Sequence, residues 1–202
     1  DMSITALKRL FALPDYSGFV RTILHADCTK LELPNWENID ILLSETMQYA
    51  LQREHQLPIT EYLIRKLRSD VVLIPQEIRV RPAALSSVGG EGNWKLVPFS
   101  PLLVLSTAGL TSPATADGKT GTAEHSHELF LPARPEIGGV LALTTDIHVY
   151  GTEHLGFNES GLTIAESIDV DGGGDTDRIF TWHYGYTPEP GIVWKWKPVT
   201  KS

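Results

Sequence analysis

The sequence predicts two structural parts of different class. Residues 1–76 alternate helical and strand-like apolar patterns, the order found in a partial doubly wound, Rossmann-like α/β sheet. Residues 77–202 contain short strand-like runs separated by Gly, Pro, Asn and Asp, which is typical of an antiparallel β barrel or sandwich. We therefore expect a domain boundary in the region from Pro75 to Val80.

Five elements are expected in the first part. A helix with an apolar face follows the capping residue Ser3 and stops before Pro14. Strands are expected over residues 19–26, 39–43 and 71–74, and a helix over residues 60–67. The two later strand candidates are short apolar runs, typical of strands buried on both faces of a parallel sheet.

Eight strands are expected in the second part. They cover residues 78–80, 94–99, 102–106, 128–131, 139–149, 162–168, 178–184 and 192–196. Residues 107–127 are rich in Thr, Ala, Gly and Ser and are expected to form a long loop.

Composition and charge argue against two classes of partner. The 202 residues carry 25 acidic and 17 basic side chains, a net charge of −8, which disfavours binding to nucleic acid. No apolar run approaches the roughly 20 residues of a membrane helix, and no signal-peptide pattern is present. The single cysteine, Cys28, fits a reducing compartment, so we expect a cytoplasmic protein.

One stretch carries candidate chemistry. An apolar strand runs into Ser44 and Glu45, and a second acid, Glu54, follows nine residues later. Ligands of open α/β sheets bind beyond the carboxyl ends of the strands, and a returning loop would place Glu54 beside Glu45. Two carboxylates in one cleft suit a planar guanidinium. The alternative is that Glu45 caps a helix and Glu54 lies on a solvated face.

The surrounding residues resemble a known family. Residues 31–45, LELPNWENIDILLSE, are similar to the run that leads into the paired-glutamate loop of protein arginine methyltransferases. Residues 67–75, LRSDVVLIP, resemble the family's helix end, turn and strand before its barrel. The matching residues are Glu32-Leu33-Pro34, Ile39-Asp40-Ile41, Ser44-Glu45, Met47, Tyr49 and Glu54.

This resemblance implies a class I methyltransferase that uses S-adenosylmethionine on a guanidinium or other nitrogen acceptor, carried by a small molecule or a protein. It also implies a possible homodimer. Glu45 and Glu54 would be catalytic and would orient the acceptor nitrogen. The implied cofactor-binding residues are Asp1 at the ribose, Asp27 and Cys28 at the adenine, and Ser44 and Met47 at the methionine side.

The sequence departs from the family in two places. The glycine-rich first motif would lie about 20 residues before Asp1, and Gly89 to Gly92 comes too late to replace it. The family's Thr-His-Trp loop corresponds to residues 158–163, NESGLT, which contain neither His nor Trp. An alternative is therefore a non-catalytic methyltransferase-like protein whose β part serves binding or dimerisation.

Two groups of potential metal ligands each lack a complete ligand set. His125 and His127 lack a suitably placed acid for a cupin-like site, and the acids from Asp169 to Asp177 lack the final Glu of a calcium loop. We expect no metal, and we interpret Thr181-Trp182-His183 as part of a packed strand.

The 202-residue chain itself is expected to bind S-adenosylmethionine weakly or not at all, and to be inactive. The helix N-terminus that follows the glycine turn supplies much of the cofactor contact in this class. Calorimetry with S-adenosylhomocysteine checks this expectation. Micromolar binding would show that the cofactor site is misplaced.

Overall fold

The computed structural model describes most of the chain and divides it into two compact units, Asp1–Pro34 and Asn35–Ser202. The described residues are 2–87, 94–111, 126–133, 140–168, 176–186 and 189–199. The domain boundary expected after residue 76, which separates two types of sheet, stays a prediction.

The first unit begins with two helices. Helix α1 spans Met2–Phe11, and α2 spans Pro14–Ser17 with its proline in the first turn, where a missing N–H costs nothing. The rings of Phe11 and Tyr16 meet edge to face at 6.4 Å. The predicted N-terminal helix is confirmed, but it already includes Met2, so Ser3 lies within the helix and the prediction that Ser3 caps it is wrong. No helix in the described part of the chain has the length and apolar character to span a membrane.

The strand expected over residues 19–26 is wrong. Residues 20–25 have no regular structure, and Phe19 and Leu24 are 88% and 51% exposed. A strand requires a neighbour that pairs with its peptide groups, and the described residues of this unit contain no other strand. The apolar pattern of residues 19–26 indicates a local preference for a strand, but it does not show whether another strand is available for pairing.

The second unit opens with a parallel pair of strands. Strand β1, Ile41–Leu43, pairs in parallel with β2, Val72–Ile74, and α3, Gln56–Ile64, lies between them in the sequence. Both predicted strands are confirmed, whereas α3 begins four residues before the expected start at Thr60. The complete Rossmann-like sheet stays a prediction.

Burial of β1 on both faces was also expected, and it is wrong. Ile41 and Leu43 are 58% and 67% exposed, although Leu73 on β2 is buried. Two covering layers are needed to bury a strand on both faces. Within the described residues β1 pairs with β2 alone, so its apolar side chains remain accessible.

The antiparallel β part is confirmed. One sheet has the strand order β10-β8-β3-β5-β6, with β4 beside β3 and β9 beside β8, and a second has the order β12-β11-β7. The strands are β3 Glu77–Ser87, β4 Trp94–Pro98, β5 Leu103–Ser106, β6 Gly109–Thr111, β7 His127–Leu131, β8 Val140–Tyr150, β9 Glu153–Leu155, β10 Glu166–Ser167, β11 Arg178–Gly185 and β12 Gly191–Pro198.

The core of this unit is shared by both antiparallel sheets. On β11 every second side chain is buried, and Phe180, Trp182 and Tyr184 point into a cluster that includes Ile78 and Leu143 from the other sheet. Trp182 is 1% exposed, which confirms that Thr181-Trp182-His183 is strand packing. The core therefore lies between two sheets, as in a sandwich or barrel.

The strand expected over residues 162–168 is largely wrong. A 3-10 helix, Gly161–Thr163, replaces its first two residues, and only Glu166–Ser167 forms a strand. The hydroxyl of Ser160 accepts from the Leu162 N–H, and that of Thr163 accepts from the Ser160 N–H, which forms a capping box. This local bonding competes with strand formation.

Two short strands were not expected. β6 pairs with the preceding β5, and β9 pairs with β8 after a turn at Gly151, whose φ is +60°. Both are three residues long, too short to show a clear sequence pattern.

Two phenylalanines on neighbouring strands test this core. Phe180 on β11 is fully buried, whereas Phe130 on β7 is 55% exposed. Phe180→Ala is expected to lower the free energy of unfolding by about 3–5 kcal/mol, because it leaves a cavity. Phe130→Ala is expected to change it by about 0.5 kcal/mol or less. Urea unfolding of the two variants measures the difference, and equal losses would contradict the assigned core.

Candidate functional site

The candidate site lies where the parallel pair ends. Ser44 follows β1, and its N–H donates to the Ile74 carbonyl of β2 at 2.9 Å, so the pairing continues one residue beyond the strand. Residues 44–55, here called the glutamate loop, then connect β1 to α3. Both predicted catalytic residues, Glu45 and Glu54, belong to this loop.

The glutamate loop contains most of the backbone strain found in the described residues. Four non-glycine residues in the described part of the chain have positive φ, and three of them lie in this loop: Ala50, Leu51 and Arg53, at +53°, +55° and +65°. The left-handed conformation costs a residue with a Cβ atom roughly 1–2 kcal/mol. Such residues persist where the surroundings force them, and they concentrate at functional sites.

The strained turn is fixed by the β sheets. The Ala50 N–H donates to the Thr145 hydroxyl of β8 at 2.8 Å, and the Tyr184 hydroxyl of β11 donates to the Leu51 carbonyl at 2.8 Å. Ala50 and Leu51 are 0% and 1% exposed. Buried peptide groups require partners, and these two side chains provide them.

A buried amide joins the two ends of the glutamate loop. The Oε1 atom of Gln56 accepts from the hydroxyls of Ser44 at 3.0 Å and Thr46 at 2.6 Å, and its Nε2 donates to the Thr60 hydroxyl at 3.1 Å. Gln56 is 1% exposed. The end of β1 is therefore tied to the start of α3.

A cavity of about 240 Å³ lies beside the start of the loop. Its walls come from β1 and β2 on one side and from β8 and β9 on the other, with Leu43, Met47, Ile74, Ile147 and Leu155 among the lining residues. Glu45 is the one ionisable residue among the described side chains that line it. The cavity thus presents an apolar wall and a single carboxylate.

The structure brings together three of the predicted site residues. Ser44, Glu45 and Met47 all line this cavity, and Met47 is buried. Glu54 is half-buried and does not line it; its Oε1 accepts from the Gln48 Nε2 at 3.3 Å. That Glu45 and Glu54 converge on one cleft stays a prediction.

The other predicted residues belong to the first unit. Asp27 accepts from the N–H of Thr29 at 2.9 Å and from its hydroxyl at 2.6 Å, and it lies 3.3 Å from the Lys30 ammonium. The hydrogen bonds from Thr29 lower the pKa of Asp27. Cys28 is a half-buried free thiol. Asp1 lies outside the described residues, and the adenine and ribose contacts stay predictions.

The two groups of potential metal ligands fall partly outside the described residues. His125, Asp169, Asp171 and Asp175 lie outside the described residues. In the part of the chain that the structure does describe, no three His, Cys, Asp or Glu side chains are close enough to hold an ion.

Sequence reasoning missed four side chains that shape the loop: Gln48, Gln56, Thr145 and Tyr184. Each resembles an ordinary member of its element, since Thr and Tyr are common in strands. Gln56 is the first residue of α3 and directly precedes the apolar Leu57. The one signal available in the sequence was a polar residue next to an acidic loop.

Glu166 on β10 interacts with the loop through charge. Burial raises the pKa of Glu166, and the positive charge of Arg53 lowers it by a smaller amount. Its Oε2 atom is buried without a hydrogen bond in the described structure. The positive charge of Arg53 therefore offsets only part of the cost of burying the ionised Glu166 carboxylate.

This environment predicts a pH effect on stability. A raised carboxyl pKa means that the folded state binds the proton more tightly than the unfolded state does. Protonation of Glu166 therefore contributes to the free energy of unfolding below pH 4.5, and this contribution is lost as the pH rises through the folded-state pKa. Glu166→Gln should therefore gain stability relative to the parent as the pH rises from 4 to 7. Urea unfolding at several pH values measures this, with Glu153→Gln on exposed β9 as the control for charge removal. A difference independent of pH would contradict it.

Comparison with known proteins identifies the fold. No protein-family model and no curated protein matches the chain. The Trypanosoma brucei PRMT1 enzyme–prozyme heterotetrameric complex with AdoHcy is similar over 100% of this chain and 75% of that chain, at 13% identity and a TM-score of 0.60. A PRMT6–SAH crystal structure covers 78% of this chain and 67% of that one, at 13% identity and a TM-score of 0.44. The sequence resemblance is confirmed at the level of fold, which is PRMT-like.

Proposed function

We propose that the PRMT-like fold of this chain forms the acceptor side of an S-adenosylmethionine-dependent methyltransferase site. Glu45 and Glu54 would orient a nitrogen acceptor, with a guanidinium as the first candidate. The observation that carries the proposal is the position of Glu45 in an apolar cavity at the carboxyl end of a parallel strand, where it is the one ionisable side chain among the described lining residues. Ligands of open α/β sheets bind at such ends.

Charge supports a cationic acceptor. An apolar wall beside one carboxylate suits a ligand that has an apolar stem and a positively charged head. The positive head would pair with the carboxylate, which lowers the free-energy cost of removing both charges from water. Glu54 adds a second carboxylate within the same loop. The strained backbone of this loop lowers the stability of the fold, and such strain is easier to explain by function than by architecture.

The residues near β1 fit the proposed cofactor. Ser44 and Met47 offer a hydroxyl and a thioether beside the cavity, suited to contact through packing and the peptide backbone. When bound, S-adenosylmethionine supplies an electrophilic methyl group on a sulfonium. The T. brucei PRMT1 complex was solved with AdoHcy, which supports this choice. Asp27 and Cys28 are proposed at the adenine and Asp1 at the ribose.

The protein's own part in the reaction is alignment and proton transfer. Displacement at a sulfonium has a good leaving group, so orientation of the acceptor nitrogen supplies most of the catalysis. Glu45 and Glu54 would fix that orientation by hydrogen bonds to the cation. A methylated guanidinium must release one proton, and either carboxylate can accept it.

The T. brucei PRMT1 structure is a heterotetrameric complex, which supports the proposal that this chain also assembles, with a homodimer as the simplest form. The acceptor is proposed to be a small molecule or a protein in the cytoplasm.

Conservative changes of the two glutamates test the function. In the full-length protein, Glu45→Gln and Glu54→Gln should each lower the kcat of methyl transfer on the order of a hundredfold to a thousandfold, because shape remains while the charge is removed. The dissociation constant for S-adenosylhomocysteine should stay unchanged. Initial rates with an arginine-containing peptide and calorimetry measure the two quantities.

The matched control is Glu37→Gln, an exposed carboxylate just before β1, which should keep full activity. Activity retained in both loop variants would disprove the acceptor role. A parent protein that binds neither S-adenosylmethionine nor its product would instead support the non-catalytic alternative.

A further inference from the structure

We infer that Thr145 and Tyr184 are positioning residues through which the β sheets set the conformation of the glutamate loop, and thereby the placement of Glu54 for the acceptor. This inference rests on the proposed function. Neither side chain belongs to the predicted site. Both act on the peptide groups of two consecutive strained residues, Ala50 and Leu51.

The two contacts come from different sheets. Thr145 lies on β8 of the larger sheet, and Tyr184 lies on β11 of the three-stranded sheet. Thr145 accepts from the Ala50 N–H and Tyr184 donates to the Leu51 carbonyl, each at 2.8 Å. The turn is therefore bound by side chains from both sheets, and its shape depends on their relative position.

The turn determines where the second carboxylate lies. Ala50, Leu51 and Arg53 have left-handed backbone conformations and reverse the chain between Glu45 and Glu54. If a bonded peptide group loses its partner, the residue can relax to the more stable right-handed region. Glu54 follows Leu51 by only three residues, so such a relaxation would move its carboxylate.

A contact across the turn depends on the same geometry. The Gln48 Nε2 donates to the Glu54 Oε1 at 3.3 Å, although the two residues are six positions apart in the sequence. This bond forms because the intervening residues turn back on themselves. It fixes one oxygen of Glu54 and leaves the other oxygen for an acceptor.

Neighbouring residues provide matched controls. Thr144 is adjacent to Thr145 and equally buried, but its hydroxyl donates to the Arg81 carbonyl and does not contact the loop. Tyr186 packs edge to face on Tyr184 at 5.5 Å, and its hydroxyl donates to Glu61 on α3. Thr144→Val and Tyr186→Phe thus remove the same atoms without touching the turn.

The first measurement is amide hydrogen exchange, which needs no activity. In the full-length protein, Thr145→Val and Tyr184→Phe should each speed exchange of the amides of residues 50–54 by about tenfold, the effect of losing one buried hydrogen bond. Thr144→Val and Tyr186→Phe should leave these amides unchanged. Thr145→Ser, which keeps the hydroxyl, should restore the slow exchange.

The second measurement separates positioning from simple stability. Thr145→Val and Tyr184→Phe should lower the kcat of methyl transfer by about tenfold or more through misplacement of the acceptor, with an unchanged dissociation constant for S-adenosylhomocysteine. Thr145→Ser should keep the parent kcat. Each control variant should retain the parent kcat, and its melting temperature should be comparable to that of the loop-contact variants.

Three results would overturn the inference. Unchanged exchange in Thr145→Val and Tyr184→Phe would show that the side chains do not fix the turn. Faster exchange with an unchanged kcat would show that the turn does not place the acceptor. A parent protein without methyl transfer would refute the proposed function and the acceptor role together, while the exchange result would still decide whether the two side chains anchor the loop.

Discussion

Buried peptide groups must form hydrogen bonds, and this requirement decides how the glutamate loop is built. Ala50 and Leu51 lie inside the core of the β sheets, where water cannot satisfy their N–H and carbonyl groups. Thr145 and Tyr184 replace water there. The loop is consequently part of the β core and not a surface connection, so its conformation and the packing of both sheets depend on each other.

The same dependence explains why the cavity lies where it does. β2 ends at Ile74 and β3 begins at Glu77, and the Gln76 N–H donates to the Val149 carbonyl of β8 at 3.1 Å. This short junction places the carboxyl end of the parallel pair directly beside β8. A cleft between two sheet types follows from the length of the connection, and Glu45, one residue further along the chain than the pairing with Ile74, faces it.

Local patterns in the sequence were enough for elements but not for their partners. β1, β2 and most antiparallel strands were predicted because apolar runs between turn residues report a local preference. Residues 19–26 have the same kind of pattern, but no neighbouring strand pairs with them in the described structure. Residues 162–168 do not form a full strand because Ser160 caps a short helix at their start. The Glu45 and Glu54 pair was visible as a motif. Thr145 was not, because nothing local shows that its hydroxyl meets a peptide group 95 residues away.

The environments of the two glutamates suggest how their roles would divide within the proposed function. Glu45 is exposed beside an apolar wall and, among the described residues, has no hydrogen-bond partner, so its carboxylate can turn toward an arriving cation or proton. Glu54 is half-buried and already accepts from Gln48, which limits its rotation. A mobile carboxylate suits charge compensation and proton transfer, whereas a restrained one suits alignment of the acceptor. The strained turn between them separates these two tasks along a single loop.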